Sequence, residues 1–336
     1  MIREVEKPNL KQLFMANQER TALENLVITG SGKGSIAIIL KYLQSKNIIT
    51  NKLDEIIVPD WIGYWVYNQI QSYAFPAKQY SPRSKAIMVY HQYGYPQDMH
   101  KIMEFATQKN LVVIEDCAHA IDSQYKGKQV GTFGDFSIYS FSKWFFCFAL
   151  GGVTSKHSDF KDFAMSEIKQ TPFGATFFKD FSKYIYEKSS FSKNNWFKKN
   201  ANLLLNTSYA LYDDALRPSS IAQKLFNSKI DYEIKIRKKR YQFFLEQTKH
   251  LGICDHLEKD GITPYVIPII VSQSKQQPIL NGLNKMGVNT DIYNFDVNRN
   301  ILDPKFVKTI WIPCHASISS DQFAHITRLI IDVIKK

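Results

Sequence analysis

Short apolar runs alternate with stretches of helical periodicity along the first half of the chain. After the turn ITGSGKGS, apolar residues at Ile36, Ile39, Leu40 and Leu43 recur with helical spacing and predict a helix from about Gly32. Strand-type runs follow at EIIVP (Glu55 to Pro59), AIMVY (Ala86 to Tyr90) and LVVIED (Leu111 to Asp116), with a helix predicted from Gln97 to Asn110 between the last two. FSIYSF and GGVTS read as two further strands. Continuously apolar strands alternating with helices predict a mostly parallel sheet covered on both faces. Ligands in such sheets collect at the carboxyl ends of the strands, and Asp116 closes one of them.

A long helix is predicted from about Ser219 to His250, after which the pattern changes. YVIPIIV (Tyr265 to Val271), a helix over ILNGLNKMGV (Ile279 to Val288) and a last helix from Ser320 to Ile334 predict a smaller α/β unit. The expected division is a large domain over 1–238 and a small carboxyl-terminal domain over 239–336, with the boundary inside the long helix. At 336 residues the chain is long enough for this arrangement. Its 44% hydrophobic and 22% charged content is that of a soluble globular protein.

Between Phe136 and Ser155 stands a single charged side chain, Lys143, in FSIYSFSKWFFCFALGGVTS. A transmembrane helix is a poor reading of this run, because the central lysine is costly in lipid and the serines and Gly151-Gly152 lower its hydropathy. A buried lysine deprotonates, pairs or is used covalently, and the last case points to condensation with a carbonyl compound. The competing reading is a strand-end lysine with its ammonium in water. Other motifs remove alternatives. GSGKGS fails the dinucleotide fingerprint, since Ser35 stands where the third glycine belongs, and fails the P-loop, since Gly34 follows Lys33. A glycine turn opening a helix still suits one phosphate. Cys117, Cys147, Cys254 and Cys314 form no CxxC pair, so neither a zinc site nor a disulfide framework is expected.

The net charge of +12 favours anionic partners. Its densest cluster, KIRKKR from Lys235 to Arg240, reads as a solvated helix face, and the lysine-rich aromatic stretch from Phe160 to Phe197 as surface helices. Neither carries a nucleic-acid motif. The polar start MIREVEKPNLKQ lacks a secretory signal, so the expected location is the cytoplasm.

Taken in order, GSGKGSIAIIL, VYHQYGYPQDM, VVIEDCAHAIDSQYKGKQVGTFGDFSIYSFSK, the following double glycine and IWIPCHASIS resemble the DegT/DnrJ/EryC1/StrS family of sugar aminotransferases. The resemblance covers most of the chain. It implies a fold type I pyridoxal-phosphate enzyme, with a three-layer α/β/α large domain and a smaller carboxyl-terminal α/β domain. It also implies a homodimer with sites at the interface, an amino acid donor such as glutamate or glutamine, and a nucleotide-linked keto-sugar as acceptor, without a membrane span or nucleic acid.

By position, Lys143 corresponds to the lysine that bonds pyridoxal 5'-phosphate, and Asp116 to the carboxylate paired with its ring nitrogen. His119 falls beside the expected phenolic oxygen. Gly32, Lys33 and Ser140 match the phosphate contacts. The expected ring-stacking aromatic falls on Gly63, so Trp61 or Tyr64 is expected to substitute. The chain departs from the family in three places. Ser140 stands three residues before Lys143 where many relatives have five. Ala215 replaces an asparagine that reaches the neighbouring subunit, and WFFCFAL is unusually apolar. Two other readings remain open. One is a different pyridoxal-phosphate reaction on a keto-deoxysugar, against which Lys143 argues because such relatives carry histidine there. The other is a non-catalytic cofactor-binding or nucleic-acid-binding regulator.

Overall fold

The computed structural model describes residues 2–10, 26–168, 173–213 and 217–336. A seven-stranded sheet forms the centre, in the order β1 (Val27–Thr29), β9 (Gly151–Ser155), β8 (Phe136–Ser140), β5 (Val112–Asp116), β4 (Ser84–Tyr90), β2 (Glu55–Ile57) and β3 (Phe75–Ala77). The β3, β2, β4, β5 and β8 pairings are parallel, whereas β9 runs antiparallel to both β8 and β1. The carboxyl ends of β1, β5 and β8 therefore share one edge with the start of β9. That edge carries the site.

The apolar runs become these strands because both sheet faces are covered. On one side, α1 (Gly32–Ser45) buries Ile36, Ile39, Leu40 and Leu43 against Ile56, Met88, Ile114 and Ile138, and α4 (Phe160–Glu167) joins the same core. On the other, α3 (Met99–Lys109) packs Met99 and Ile102 against Ile87, Val89 and Val113. The short α2 (Tyr64–Gln71) follows β2, and β6 (Gln124–Tyr125) pairs with β7 (Lys128–Gln129) in a small ribbon. The run around Lys143 divides into β8, a single 3₁₀ turn over Phe141–Lys143, and β9. It is no membrane helix. Among the described residues no helix is long and apolar enough to cross a membrane.

Three helices then cover the site edge: α5 (Phe173–Ser190), α6 (Asn195–Ser208) and the short α7 (Ala210–Asp213). The 29-residue α8 (Ser220–Thr248) runs unbroken between two cores. Its first half packs Ala222, Leu225, Phe226 and Ile230 with Phe141 and Phe145, and its second half packs Tyr241 and Phe244 in a separate cluster. That second cluster belongs to the antiparallel sheet β10 (Val266–Ile269), β12 (Phe306–Pro313) and β11 (Ile292–Asp296), with α9 (Gln273–Lys285) and α10 (Ser320–Lys335) against it. Ile2 bridges to Val288, and Ile2 and Val5 pack on this smaller core. The first residues also reach the large lobe, where Glu6 accepts the Phe146 N–H at 3.1 Å.

Candidate active site

The glycine turn after β1 is built by one residue, Ser31. Its backbone is extended, it caps α1 by accepting the Gly34 N–H through Oγ (3.0 Å), and its carbonyl accepts the Ser35 N–H. Gly32 and Lys33 are the first helical residues, at the positive end of the helix dipole. A Cβ on Gly32 would lie 3.0 Å from Ser140 Cβ, so the turn and the end of β8 form one cradle. Gly151 pairs with both Thr29 and Ser140 across the sheet, and any side chain there would strike the Ser31 backbone. Gly151 is therefore a packing requirement of the cradle, whereas a Cβ on Gly152 would meet Leu26 and Phe141.

Glu115 and Asp116 separate by the two-residue alternation of a strand. Asp116 faces the site edge, and its Oδ1 accepts the Ala118 N–H at 3.0 Å. Glu115 faces the opposite way and accepts the amides of Gly131, Phe133 and Gly134 together with His91 Nε2. Since Gln97 N–H donates to His91 Nδ1, the proton sits on Nε2 and His91 donates to Glu115. His91 is thus a structural residue.

A cavity of about 410 Å³ opens at this edge, lined by Gly32, Lys33, Asp116, Ser140 and Lys143, with Trp65 and Tyr209 among the other walls. Burial pushes the Lys143 pKa down; Asp116 opposes this and Lys183 reinforces it. Burial pushes Asp116 up, against the opposing pull of Lys143 and the Ala118 amide. A cationic group beside Asp116 favours its ionised form. A second cavity of about 230 Å³ also has Ser142, Lys143, Lys183 and Tyr186 on its wall and extends to Arg3, Glu187 and Tyr265. Lys143 therefore borders two spaces.

The expected ring-stacking residues lie elsewhere. Trp61 packs edge-on against Phe306 at 4.7 Å, and Tyr64 projects into solvent, so neither lines the large cavity. The reason is that α2 starts at Tyr64, and one residue of helical rotation turns Trp65 inward instead. His119 is also outside the cavity lining. It stacks on Tyr265 at 4.0 Å and bonds Tyr90 Oη through Nδ1 at 2.6 Å. Burial drives its pKa well below the usual range, so the ring is neutral. Ala215 lies outside the described residues.

Sequence reasoning missed the helices α5 to α7 as site elements. Lys183, Tyr186, Asn202, Asn206, Tyr209 and Tyr212 all line the large cavity. Tyr209 stacks on Trp65 at 3.9 Å, and Lys33 Nζ lies 4.2 Å from the Tyr209 ring centre. Lys179, buried on α5, donates to Gly30 O at 3.0 Å, while Ser31 Oγ donates to Tyr212 O. The Lys183 and Glu187 pair was readable from its i,i+4 spacing. The contact of Lys179 with a turn far back in the chain was not.

The donor set fits pyridoxal phosphate. A helix N-terminus with Ser140 suits a phosphate dianion, a strand-end carboxylate suits a protonated ring nitrogen, and Lys143 is the amine between them. Residues 77–192 match the model of the DegT/DnrJ/EryC1/StrS aminotransferase family. Over that stretch the chain is similar to this family. Among curated proteins it is similar to the GDP-perosamine synthase of Escherichia coli O157:H7, at 61% identity over 59 residues, which is 18% of this chain and 16% of that one. It is also similar to the GDP-perosamine synthase of Caulobacter vibrioides, at 35% over 139 residues, covering 39% and 36% of the two chains. These matches span well under two thirds of either relative. The structure superposes on PseC of Helicobacter pylori, an aminotransferase involved in the biosynthesis of pseudoaminic acid, with a TM-score of 0.60 at 16% identity over 93% of this chain and 87% of that one. The fold of that aminotransferase thus extends over nearly all of the chain.

Proposed function

We propose that this chain is a pyridoxal-phosphate-dependent aminotransferase that moves an amino group from an amino acid, glutamate or glutamine, to a nucleotide-linked keto-sugar, in surface polysaccharide or deoxysugar biosynthesis. The observation that carries the reading is the meeting of Lys143, Asp116, Ser140 and the α1 N-terminus on one cavity wall. The GDP-linked product in the names of both curated relatives supports the substrate class. Four free, buried cysteines suit the reducing cytoplasm.

When bound, pyridoxal phosphate supplies an electron sink for the carbon that loses the amino group. The first turn of α1 and Ser140 would hold its phosphate. Asp116 would hold the proton on its ring nitrogen through a charge-assisted hydrogen bond. Ala118 and Trp65, both on the cavity wall, would supply apolar contact to the ring. Lys143, whose pKa burial lowers, would bond the cofactor and, once released, take a proton from the donor carbon and return it. General acid–base transfer of this kind contributes about 10²- to 10⁴-fold. Lining both cavities, Lys143 would reach a held cofactor from one and an incoming substrate from the other. Lys183 and Arg3 offer positive charge on the side of the smaller cavity. A homodimer completes the reading.

Replacing Lys143 with Ala should abolish the visible absorption of lysine-bound cofactor and its trapping by borohydride; an unchanged adduct refutes the assignment. Glutamate should convert the wild-type holoenzyme to its pyridoxamine form, and a nucleotide keto-sugar should reverse that conversion. Conversion without reversal by any keto-sugar would redirect the acceptor class.

A further inference from the structure

The lysine-rich aromatic stretch remains without a role on its outer side. The inner face of the α5–α6 hairpin is accounted for by Lys179, Lys183 and Tyr186, which face the site. The outer face of α5 carries Phe177, Phe178 and Phe181, all exposed at helical spacing, with Phe177 and Phe181 stacked 5.9 Å apart. Trp196, 73% exposed, stands at the start of α6, and Leu203 is exposed two turns later. Lys188, Lys193, Lys198 and Lys199 are exposed along the same hairpin. No Asp or Glu occurs between Lys188 and Tyr212. The hairpin's two acidic residues before that, Asp180 and Glu187, pair with Lys179 and Lys183 toward the protein body.

We propose that this face of the hairpin docks on an anionic lipid bilayer, with the phenylalanines and Trp196 entering the headgroup boundary and the four lysines meeting acidic headgroups. Apolar aromatics flanked by uncompensated lysines are what interfacial binding needs, since burial of apolar area adds to electrostatic attraction. Neither helix is long and apolar enough to cross a membrane, so the contact lies on the surface. Charge argues against a second copy as the occupant, because pairing this face with itself would set four lysines against four.

The test is sedimentation of the holoenzyme with vesicles of phosphatidylcholine, with and without phosphatidylglycerol. Binding is expected only with the anionic lipid, and should weaken as ionic strength rises from ~0.1 to ~0.5 M. K188E/K193E/K198E/K199E and F177S/F178S/F181S should each reduce partitioning about tenfold or more. All seven side chains are solvent-exposed, and retained cofactor absorbance confirms that each variant is folded. The proposal is overturned if wild type stays in the supernatant, if either variant binds as wild type does, or if the phenylalanine variant dissociates a dimer in light scattering while wild type ignores vesicles. Binding of single-stranded RNA with equal affinity and no vesicle binding overturns it too.

Discussion

Replacing Glu115 with Gln should unfold the protein more easily without touching the cofactor, whereas the neighbouring change Asp116→Asn should do the reverse. Glu115 is fully buried, and its two oxygens accept four hydrogen bonds: Oε1 from Phe133 and Gly134 at 2.7 and 2.6 Å, and Oε2 from Gly131 and His91 at 2.7 and 3.1 Å. Burial alone would raise its pKa, but His91 and the backbone amides hold it below the ordinary carboxylate range. A glutamine keeps one oxygen. Its NH₂ then faces either two backbone donors or one backbone donor and His91 Nε2–H. Switching the histidine tautomer does not help, because Nδ1–H would then oppose the Gln97 amide. Two charge-assisted bonds are lost at about 1.5–3 kcal/mol each, and water recovers part at the less buried amides, leaving about 3–4 kcal/mol. With an unfolding entropy near 2.1 cal/mol/K per residue over 336 residues, Tm should fall by about 5 °C. Calorimetry and urea titration of the apoprotein measure this directly. Asp116 makes one bond that Asn preserves, so D116N should hold Tm within about 2 °C while weakening cofactor binding about tenfold or more. An E115Q protein within about 1 kcal/mol of wild type, or a D116N protein equally destabilised, would refute this division of labour between the two carboxylates.

Gly151→Ala drives a methyl group into the Ser31 backbone, and should cost about 1–3 kcal/mol in urea titration and weaken cofactor binding in parallel. Unchanged affinity for the cofactor would separate the cradle from this contact. Trp65→Ala should weaken pyridoxal-phosphate binding in a fluorescence titration, whereas Trp61→Ala, removed from the cavity, should not. Burial depresses His315 to about 3, so it is neutral in the folded chain and protonates in the unfolded chain near pH 6.5. Its contribution is complete above about pH 6.5 and is lost as pH falls toward 3, by up to about 1.4 kcal/mol per pH unit. Urea midpoints between pH 7 and 5 should therefore slope less steeply in His315→Gln.

The parallel sheet was legible because burial on both faces leaves its strands uninterruptedly apolar, as in AIMVY and LVVIED. The helix after the glycine turn and the long α8 were legible from spacing alone. β11 and β12 were not, since Asn294, Lys308 and Thr309 break the apolar pattern on a sheet with one wet face. Alternation separated Glu115 from Asp116, yet which faced the site depended on strand order, which no local pattern records. Trp65 escaped because a helix begins one residue earlier, and the direction of a side chain in a first turn depends on that start.

Lys143 shows where sequence and structure supply different halves of one argument. A single lysine in an apolar run states only that an ammonium is expensive there; it does not say what offsets the cost. The structure answers from distant parts of the chain: Asp116 from β5 offsets the cost, while Lys183 from α5 adds to it. Asp116 favours the charged amine, while burial and Lys183 favour the neutral one. Neutrality is the state a nucleophilic amine and a proton acceptor both require. Gly151, one of the pair that made a membrane helix unconvincing in the sequence, is what lets β9 approach the turn closely enough to join Thr29 and Ser140 around one cradle. The same feature thus argues against a lipid-spanning segment and for a phosphate seat next to the lysine, and that coincidence ties the chemistry to this fold.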